Sequence, residues 1–426
     1  MYKFRTTNFQ SLISKPETLN PKLENLKKKI KILRIINRFN LGGPTYNAAY
    51  LTKYLEPEFE TLLVGGAKYE EEESSDFILE KLGINFIVIP EMQRSINLKD
   101  DLKAYRILKK IIKEFQPDIV HTHASKAGTL GRLAAKKCKV SIIVHTFHGH
   151  VFHSYFGKIK TSFYKNIERY LAKKSTKIIA ISEIQKKELS QQHKICKADK
   201  ITVIPLGFDL DCFQENIEEK RKSFRNNYLI KEDEIAIGII GRLVPIKNHQ
   251  LFINTINEVK KRTSKKIRAF IIGDGEEKNQ LISHLKRIGL DYVEWNKDKF
   301  ATTVTFTSWI KNIDWANAGL DIIALSSLNE GTPVSLIEAQ ASNKPIVTTN
   351  VGGVENIVLK NETAFITETN NLEEFTSRLL KLVDDDVLRK KMSEKGWSFV
   401  KNKFHYTRLV NDMRNLYHTL LNNNKK

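Results

Sequence analysis

Continuous apolar strands alternate with amphipathic helical segments along almost the whole chain, and this alternation constrains the fold most strongly. The run KILRIINRF (31–39) is rich in Ile and Leu and predicts a buried strand, whereas LKAYRILKKIIKEF (102–115) repeats its apolar residues at helical spacing. Strands that are apolar on both faces are typical of parallel sheets that helices cover on both sides. The pattern therefore predicts an α/β fold of doubly wound parallel sheets.

The alternation occurs as two series, which predict two Rossmann-like domains in tandem. The first series ends at VIPLGF, and the second begins with EIAIGIIGRL (234–243) after a charged connection. A chain of 426 residues is also longer than one hydrophobic core normally supports. The predicted segments are a polar leader (1–29), an N-terminal domain (30–206), a C-terminal domain (207–403) and a final helix (404–426).

The composition argues against a membrane-spanning or secreted protein. No apolar run approaches the roughly 18–20 residues that a bilayer span needs. The segment 1–29 lacks the apolar core of a signal peptide. The three cysteines have no paired spacing, so neither a disulfide framework nor a zinc knuckle is predicted. We therefore expect a cytoplasmic location.

Positive charge is concentrated in the first half of the chain. Residues 1–206 carry 37 Lys and Arg against 20 Asp and Glu, whereas residues 207–426 carry 33 against 29. This asymmetry favours an anionic partner for the first half, such as a membrane surface, a nucleic acid or a phosphorylated acceptor. The alternative is a coding bias toward Lys, which would raise the Lys content without giving it a function.

The turn IIGRLVPIKNHQLF (239–252) presents Arg242 and Lys247 between a strand and a helix. Ligands of open parallel sheets bind beyond the carboxyl ends of the strands. Two cations beside a helix N-terminus suit a diphosphate, because Arg binds oxygens through its planar fork and Lys supplies a point charge. The alternative is a pair of solvated cations. The glycine turn IIGDGEE (271–277) follows the next strand and is a weaker signal.

The segment LSSLNEGTPVSLIE (325–338) predicts a second anion-binding turn. Thr332 is the expected N-cap and Pro333 the expected first helical residue, so the free amides of Gly331, Val334 and Ser335 would face an anion. Glu330 precedes this turn and Glu338 lies about two helical turns farther along. Both carboxylates are suitable acceptors for sugar or ribose hydroxyls. The alternative is a favourable helix-dipole charge and an exposed Glu.

Histidines are clustered near the ends of two strands in the first half. Four occur in HTFHGHVFHSYF (145–156), and His121 and His123 end the preceding strand. A metal cluster, one or two substrate-contacting histidines, and purely structural histidines are the three interpretations. No acidic or cysteine ligand adjoins the cluster, which argues against a metal. Asp209-Leu210-Asp211 has the spacing of a metal-nucleotide motif but follows no phosphate-type turn, so we interpret it as a linker.

The combination of GRLVPIKN, IIGDG and EGTPVSLIE resembles retaining glycosyltransferases of family 4, the group 1 type with the GT-B architecture. LGGP, HTHASKAG, VHTFHGHVF and VIPLGFD also look like this family, and the motifs cover residues 30–421 in the expected order. The bacterial branch that builds capsule, exopolysaccharide or lipopolysaccharide is the most similar. The resemblance implies two Rossmann-like domains with a donor/acceptor cleft between them, and a final helix that packs back on the N-terminal domain.

The resemblance also implies an activity and a site. A hexose-type sugar would pass from a nucleoside diphosphate sugar, expected to be a UDP-sugar, to a glycan or lipid-linked acceptor with retention of configuration. No metal or cofactor is implied, and a peripheral position on the inner face of the plasma membrane fits the basic N-terminal domain. The catalytic residues would be His148, Arg242, Lys247 and Glu330. The donor-binding residues would be Gly42, Gly43, His150, Arg242, Lys247, Gly273, Glu330, Gly331, Thr332, Pro333, Val334 and Glu338.

Two other functions share some of these features. A nucleotide-sugar epimerase or a phosphorylase can have the GT-B architecture. Such an enzyme should lack the pair of glutamates separated by seven residues, Glu330 and Glu338, within the segment EGTPVSLIE. A non-catalytic basic protein that binds nucleic acid would use the charged first half. No nucleic-acid motif is visible, and such a protein would leave Arg242 and Lys247 unexplained.

Overall fold

The computed structural model describes residues 29–40, 43–68, 75–93, 95, 97–148 and 158–424. The predicted leader lies outside these residues except for its last position. The chain divides into two compact units. The first unit comprises the described residues up to Phe208 together with those from Tyr406 onward, and the second unit is Asp209–His405.

In the described part of the first unit, seven parallel strands form one sheet in the order β3-β2-β1-β4-β5-β6-β7. The strands are β1 (Ile30–Arg38), β2 (Phe59–Gly66), β3 (Phe86–Ile89), β4 (Ile119–His123), β5 (Ile142–Phe147), β6 (Lys177–Ala180) and β7 (Ile201–Val203). The helices between them are α1 (Gly43–Lys53), α2 (Asp76–Lys81), α3 (Leu98–Phe115), α4 (Ser125–Lys137), α5 (Lys158–Lys174) and α6 (Glu183–Lys187). Pro44 lies in the first turn of α1, where its missing N–H costs no hydrogen bond.

The described second unit contains a sheet of the same kind, in the order β10-β11-β9-β8-β12-β13-β14. Its strands are β8 (Glu234–Ile240), β9 (Lys266–Ile272), β10 (Tyr292–Glu294), β11 (Val304–Ser308), β12 (Ile322–Leu325), β13 (Ile346–Thr349) and β14 (Ala364–Thr367). Its helices are α7 (Ile217–Asn227), α8 (His249–Arg262), α9 (Lys278–Ile288), α10 (Ile313–Gly319), α11 (Val334–Ala341), α12 (Leu372–Asp384), α13 (Asp386–Ser393) and α14 (Gly396–Phe404).

The last helix, α15 (Tyr406–Asn424), belongs to the first unit. Its residues Leu409, Val410, Met413 and Tyr417 are buried against strands β1 and β5 and helix α1. Tyr417 is fully buried, and its hydroxyl contacts polar side chains of the sheet. The helix therefore contributes directly to the core of the first unit.

These sheets confirm the prediction of two tandem Rossmann-like domains. Each sheet changes direction beside its first strand, between β1 and β4 in one unit and between β8 and β12 in the other. Such switch points are where α/β sheets bind ligands. The segment 291–303 contains an edge strand, β10, which pairs with β11. No helix in the described ranges is both long and apolar enough to cross a bilayer.

Candidate active site

The turn after β8 carries Arg242 and Lys247, and the structure places them differently. Arg242 is exposed, and no hydrogen bond or ion pair joins its side chain to another described residue. Lys247 ends a short 3₁₀ turn, Pro245–Lys247, just before α8. The Lys247 ammonium contacts Oε1 of Glu330 at 2.5 Å. One cation of the predicted pair is thus open to solvent and the other is held in place.

Glu330 joins the turn after β8 to the turn after β12. Its Oε1 accepts hydrogen bonds from Lys247 and from the hydroxyl of Ser327, at 2.5 and 2.6 Å. Its Oε2 has no partner among the described residues, so this oxygen is available as an acceptor. Ser326 strengthens the connection, because its hydroxyl donates to the carbonyls of Lys247 and Asn248. The two motifs that lie far apart in sequence therefore form one cluster.

The glycine turn after β9 packs against the turn after β8. Gly273 has a φ of +144°, and a Cβ at this position would lie 2.0 Å from the carbonyl oxygen of Gly241. The amide of Leu243 donates to the carbonyl of Asp274 at 3.0 Å. Only glycine allows this backbone conformation and this close approach. Gly273 thus fixes the course of the turn that presents Arg242.

A second glycine turn, which the sequence interpretation missed, supports Glu330 from the other side. Gly352 follows β13 with a φ of +50°, and a Cβ there would lie 1.7 Å from the carbonyl oxygen of Glu330. A Cβ on Gly353 would lie 2.1 Å from the carbonyl oxygen of Gly331. The signal was present as two consecutive glycines that follow the strand segment PIVTT (345–349) after two intervening residues.

Helix α11 begins one residue later than predicted. Pro333 is the N-cap, with a φ of −69° and a ψ of +103°, and Val334 is the first helical residue. Thr332 is therefore outside the helix and does not cap it, because the extended ψ of Pro333 delays the first helical turn. Gly331 is exposed, and a Cβ there would meet no atom within 4 Å. Gly331 thus faces open space just before the helix start.

Glu338 lies in the second half of α11 and differs from the expectation of an ionised carboxylate. Burial raises the pKa of Glu338 to about 8, and the nearby carboxylate of Asp314 adds to the increase. Its carboxyl group makes no hydrogen bond or ion pair with another described residue. At neutral pH this group therefore carries a proton in the unliganded chain, and a partner that donates hydrogen bonds would favour its ionisation.

In the first unit, only some of the predicted donor-binding residues can be placed. Gly43 begins α1, and a Cβ there would meet only a side-chain atom of Leu206, at 3.8 Å. Gly42 and His150 lie outside the described residues. His148 is the last described residue before the gap that follows β5.

His148 belongs to a row of histidines at the ends of β4 and β5. Its Nε2 lies 2.8 Å from Nδ1 of His123, and the two rings are stacked. The ring of His123 lies 4.2 Å from that of His121, measured between centroids. His145 points to the other face of the sheet, where its Nδ1 contacts the hydroxyl of Thr122 at 2.9 Å. The row therefore consists of His121, His123 and His148.

Burial keeps this row uncharged. It lowers the pKa of His148 to about 4 and the pKa values of His121 and His123 well below their usual range. Nε2 of His123 and Nδ1 of His148 are buried and have no hydrogen-bond partner in the described structure. Neutral imidazoles with free nitrogen atoms can donate to or accept from a sugar hydroxyl. This arrangement suits contact with an uncharged ligand group.

Within the described ranges, no three His, Cys, Asp or Glu side chains are placed so that they could hold a metal ion. Asp211, from the motif that we interpreted as a linker, forms an ion-pair contact with His405 at 3.1 Å. It starts a short 3₁₀ turn, Asp211–Phe213, at the beginning of the second unit.

Family models match both halves of the chain. The model described as glycosyl transferases group 1 matches residues 220–398. The model described as glycosyltransferase family 4 matches residues 42–212.

Two curated relatives are similar over most of the chain. A UDP-Gal:α-D-GlcNAc-diphosphoundecaprenol α-1,3-galactosyltransferase of Escherichia coli is 32% identical over 332 residues, which are 77% of this chain and 82% of the relative. The capsular polysaccharide biosynthesis glycosyltransferase CapM of Staphylococcus aureus is 29% identical over 351 residues, which are 78% and 85% of the two chains.

A solved structure supports the fold. Anabaena HepE, crystallised in complex with UDP, aligns with a TM-score of 0.74 at 17% identity, covering 92% of this chain and all of that one. At this identity the likeness concerns architecture alone.

Proposed function

This chain belongs to glycosyltransferase family 4, and we propose that it transfers a hexose, with retention, from a UDP-sugar to a lipid-linked or glycan acceptor in cell-surface polysaccharide synthesis. The contact of Lys247 with Glu330, which joins the turn that presents Arg242 to the turn before α11, carries the proposal. The Escherichia coli relative, which its name describes as using UDP-galactose and a lipid-linked diphosphate acceptor, makes UDP-galactose the first donor to test.

The proposed reaction breaks the bond between the anomeric carbon and the diphosphate oxygen, and both bonding electrons leave with the diphosphate. The acceptor hydroxyl forms the new bond from the same face, and its proton passes to the departing oxygen. Negative charge thus develops on the diphosphate. Arg242, Lys247 and the backbone amides of Gly331 and Val334 provide positive potential in the second unit, so we propose a metal-independent reaction.

The remaining site residues would hold the donor. We propose that Oε2 of Glu330, which has no partner among the described residues, accepts a sugar hydroxyl while Oε1 keeps Lys247 in position. Glu338 would accept hydrogen bonds from the ribose and lose its proton on binding. His148 would contact the sugar with its uncharged ring, and His150 is the alternative contact.

The test of this function is sugar transfer by the purified chain. UDP-galactose, UDP-glucose and UDP-N-acetylhexosamines would each be incubated with a GlcNAc-diphospho-lipid, and release of UDP and the product mass would be measured. We expect one donor to give a glycosylated lipid with retained anomeric configuration. Turnover of none of these donors, or inversion at the anomeric carbon, would contradict the proposal.

We also propose that the first unit binds an anionic membrane surface, where a lipid-linked acceptor would reside. A groove between α3, α4 and α5 has an apolar floor that includes Leu98, Leu102 and Tyr170, of which Leu98 is 84% exposed. Lys136, Lys137 and Lys174 also line this groove. Apolar side chains beside lysines suit the boundary between lipid headgroups and acyl chains.

Binding to vesicles tests the membrane proposal. The wild-type chain should sediment with phosphatidylglycerol vesicles, and added salt should weaken the binding because each lysine contributes at most about 1 kcal/mol that is screened. Lys136→Glu with Lys137→Glu should reduce binding, whereas Lys260→Glu with Lys261→Glu in the second unit should not. Equal binding to phosphatidylcholine vesicles would contradict an electrostatic contribution.

A further inference from the structure

Arg34 is a fully buried arginine in the middle of β1, and no acidic side chain among the described residues pairs with it. Its Nη1 lies 3.0 Å from Nδ1 of His121 and 3.5 Å from the hydroxyl of Tyr417. Its Nε and Nη2 have no hydrogen-bond partner in the described structure. Burying a cation without a counter-charge is unfavourable for stability. Packing alone therefore gives no reason for an arginine at this position.

The contact with Arg34 determines which nitrogen of His121 carries the proton. A guanidinium only donates hydrogen bonds, so Nδ1 of His121 must be the acceptor. The proton is therefore on Nε2, which donates to the hydroxyl of Thr146 at 2.8 Å. The hydroxyl of Tyr417 lies 2.6 Å from the same Nδ1 and donates to it as well. Helix α15 thus contributes one of the two donors that hold this ring.

The charge of Arg34 also acts on the next histidine in the row. It contributes to the lowered pKa values of both His121 and His123, although burial is the larger cause for each. His123 in turn shares a single proton with His148 across their 2.8 Å contact. The titratable and charged groups around the row are Arg34 on β1, His121 and His123 on β4, His145 and His148 at the end of β5, Arg132 on α4 with its partner Glu168 on α5, and Tyr417 on α15.

We propose that Arg34 is a positioning residue that fixes the tautomer of His121 and keeps the His123–His148 pair neutral, so that His148 offers an uncharged ring to the sugar. This inference rests on the proposed function of His148. Arg34 would thus affect turnover without touching the ligand. Tyr417 of the last helix would be a second, weaker donor that holds the ring of His121.

Arg34→Met provides the test, because it removes the charge and the donor but retains apolar bulk. Tyr417 still donates to His121 in this variant, so the fold should be at least as stable as the wild type. The pH at which kcat/KM falls by half on the acidic side should rise by at least about 0.5 unit. Arg34→Lys should restore most of the wild-type profile. Arg268→Met is the matched control, because Arg268 is also buried on a strand but bonds to the carbonyls of Tyr228 and Leu229 and not to a histidine.

Nitrogen-15 NMR of histidine-labelled protein supplies a readout that needs no activity. The wild type should show His121 protonated at Nε2, and Arg34→Met should raise the protonation midpoint of the His123–His148 pair. Identical midpoints in the wild type and Arg34→Met, or a His121 protonated at Nδ1 in the wild type, would overturn the inference. If the wild type turns over no nucleotide sugar, the proposed function fails, while these spectra still decide the role of Arg34.

Discussion

The strand ends of the two units differ in charge, although both sheets are seven-stranded and parallel: those of the second unit carry charged groups, and those of the first carry neutral histidines. In the second unit the switch point between β8 and β12 is surrounded by charged groups, with Arg242 exposed and Lys247 paired with Glu330. In the first unit the switch point lies between β1 and β4, and β4 carries two buried imidazoles, His121 and His123, that remain neutral. The same fold therefore presents charged side chains at the strand ends of one unit and neutral imidazoles at those of the other.

The difference follows from where each side chain is anchored. The charged residues of the second unit lie in turns whose backbones are locked by Gly273 and Gly352, so the side chains stay near solvent. The histidines of the first unit lie within strands or directly after them, and burial removes their charge. Turns can hold charge because water and ligands reach them, whereas strand interiors favour neutral groups. Under the proposed function, the strand ends of the first unit contact uncharged sugar hydroxyls, whereas those of the second bind the diphosphate in addition to sugar and ribose hydroxyls.

The largest effect should come from removing a cation in the second unit. Arg242→Ala and Lys247→Ala should each lower kcat about 100- to 1,000-fold, since both are proposed to stabilise charge that develops in the transition state. Melting temperatures should change little. Lys261→Ala, which removes an exposed lysine paired with Glu258, is the control and should keep full activity. Wild-type rates in both site variants would show that the diphosphate lies elsewhere.

Glu338→Gln should have a smaller and pH-dependent effect. Donor affinity of the wild type should rise as the pH increases through about 8, because the ionised carboxylate is the better acceptor, and the variant should lack this rise. At pH 9 we expect the variant to bind donor about 10-fold more weakly. Calorimetric titrations at pH 6.5 and 9 measure both. Equal affinities of the two proteins at pH 9 would remove Glu338 from the ribose site.

The same substitution should affect stability in the opposite direction. The folded-state pKa of Glu338 is above its usual value of 4.5, so the folded chain holds this proton more tightly than the unfolded chain. Its contribution to stability is complete below pH 4.5 and is lost as the pH rises toward 8. Glu338→Gln should therefore be about 1–3 kcal/mol more stable than the wild type at pH 9 and nearly equal to it near pH 4. Urea unfolding at both pH values tests this sign.

The smallest expected effect is that of metal removal. If Arg242, Lys247 and the amides of Gly331 and Val334 supply the positive potential, excess EDTA should leave the transfer rate within about twofold. Loss of activity that manganese or zinc restores would contradict the metal-free mechanism. It would also require ligands from the histidine row or from Asp209 and Asp211.

The sequence was sufficient for the fold because apolar strands and amphipathic helices are local patterns. It also located the turns that carry Arg242 and Glu330, since these follow strand ends. It did not reveal the pairing of Lys247 with Glu330, which lie 83 residues apart. The start of α11 was misplaced by one residue, because the ψ of Pro333 depends on the packed turn and not on residue type.

Properties that depend on burial also could not be predicted from the sequence. The sequence does not show that Arg34 and His121 lie opposite each other on neighbouring strands, or that Tyr417 from the last helix completes their contact. The raised pKa of Glu338 likewise arises from surroundings that several helices build. The two glycines at 352–353 can be read from the sequence. Their close approach to the backbone of Glu330 and Gly331 cannot, because it depends on how the two turns pack.

The contrast between charged and neutral strand ends can be measured most directly by titrating UDP into two variants in a calorimeter. Arg242→Ala should weaken UDP binding at least about 10-fold, because a charge-assisted contact to phosphate contributes about 1.5–3 kcal/mol. His148→Ala should bind UDP within about twofold of the wild type, yet transfer sugar about 10-fold more slowly. Weakening of UDP binding by His148→Ala as large as that by Arg242→Ala, or unchanged binding by Arg242→Ala, would contradict the account.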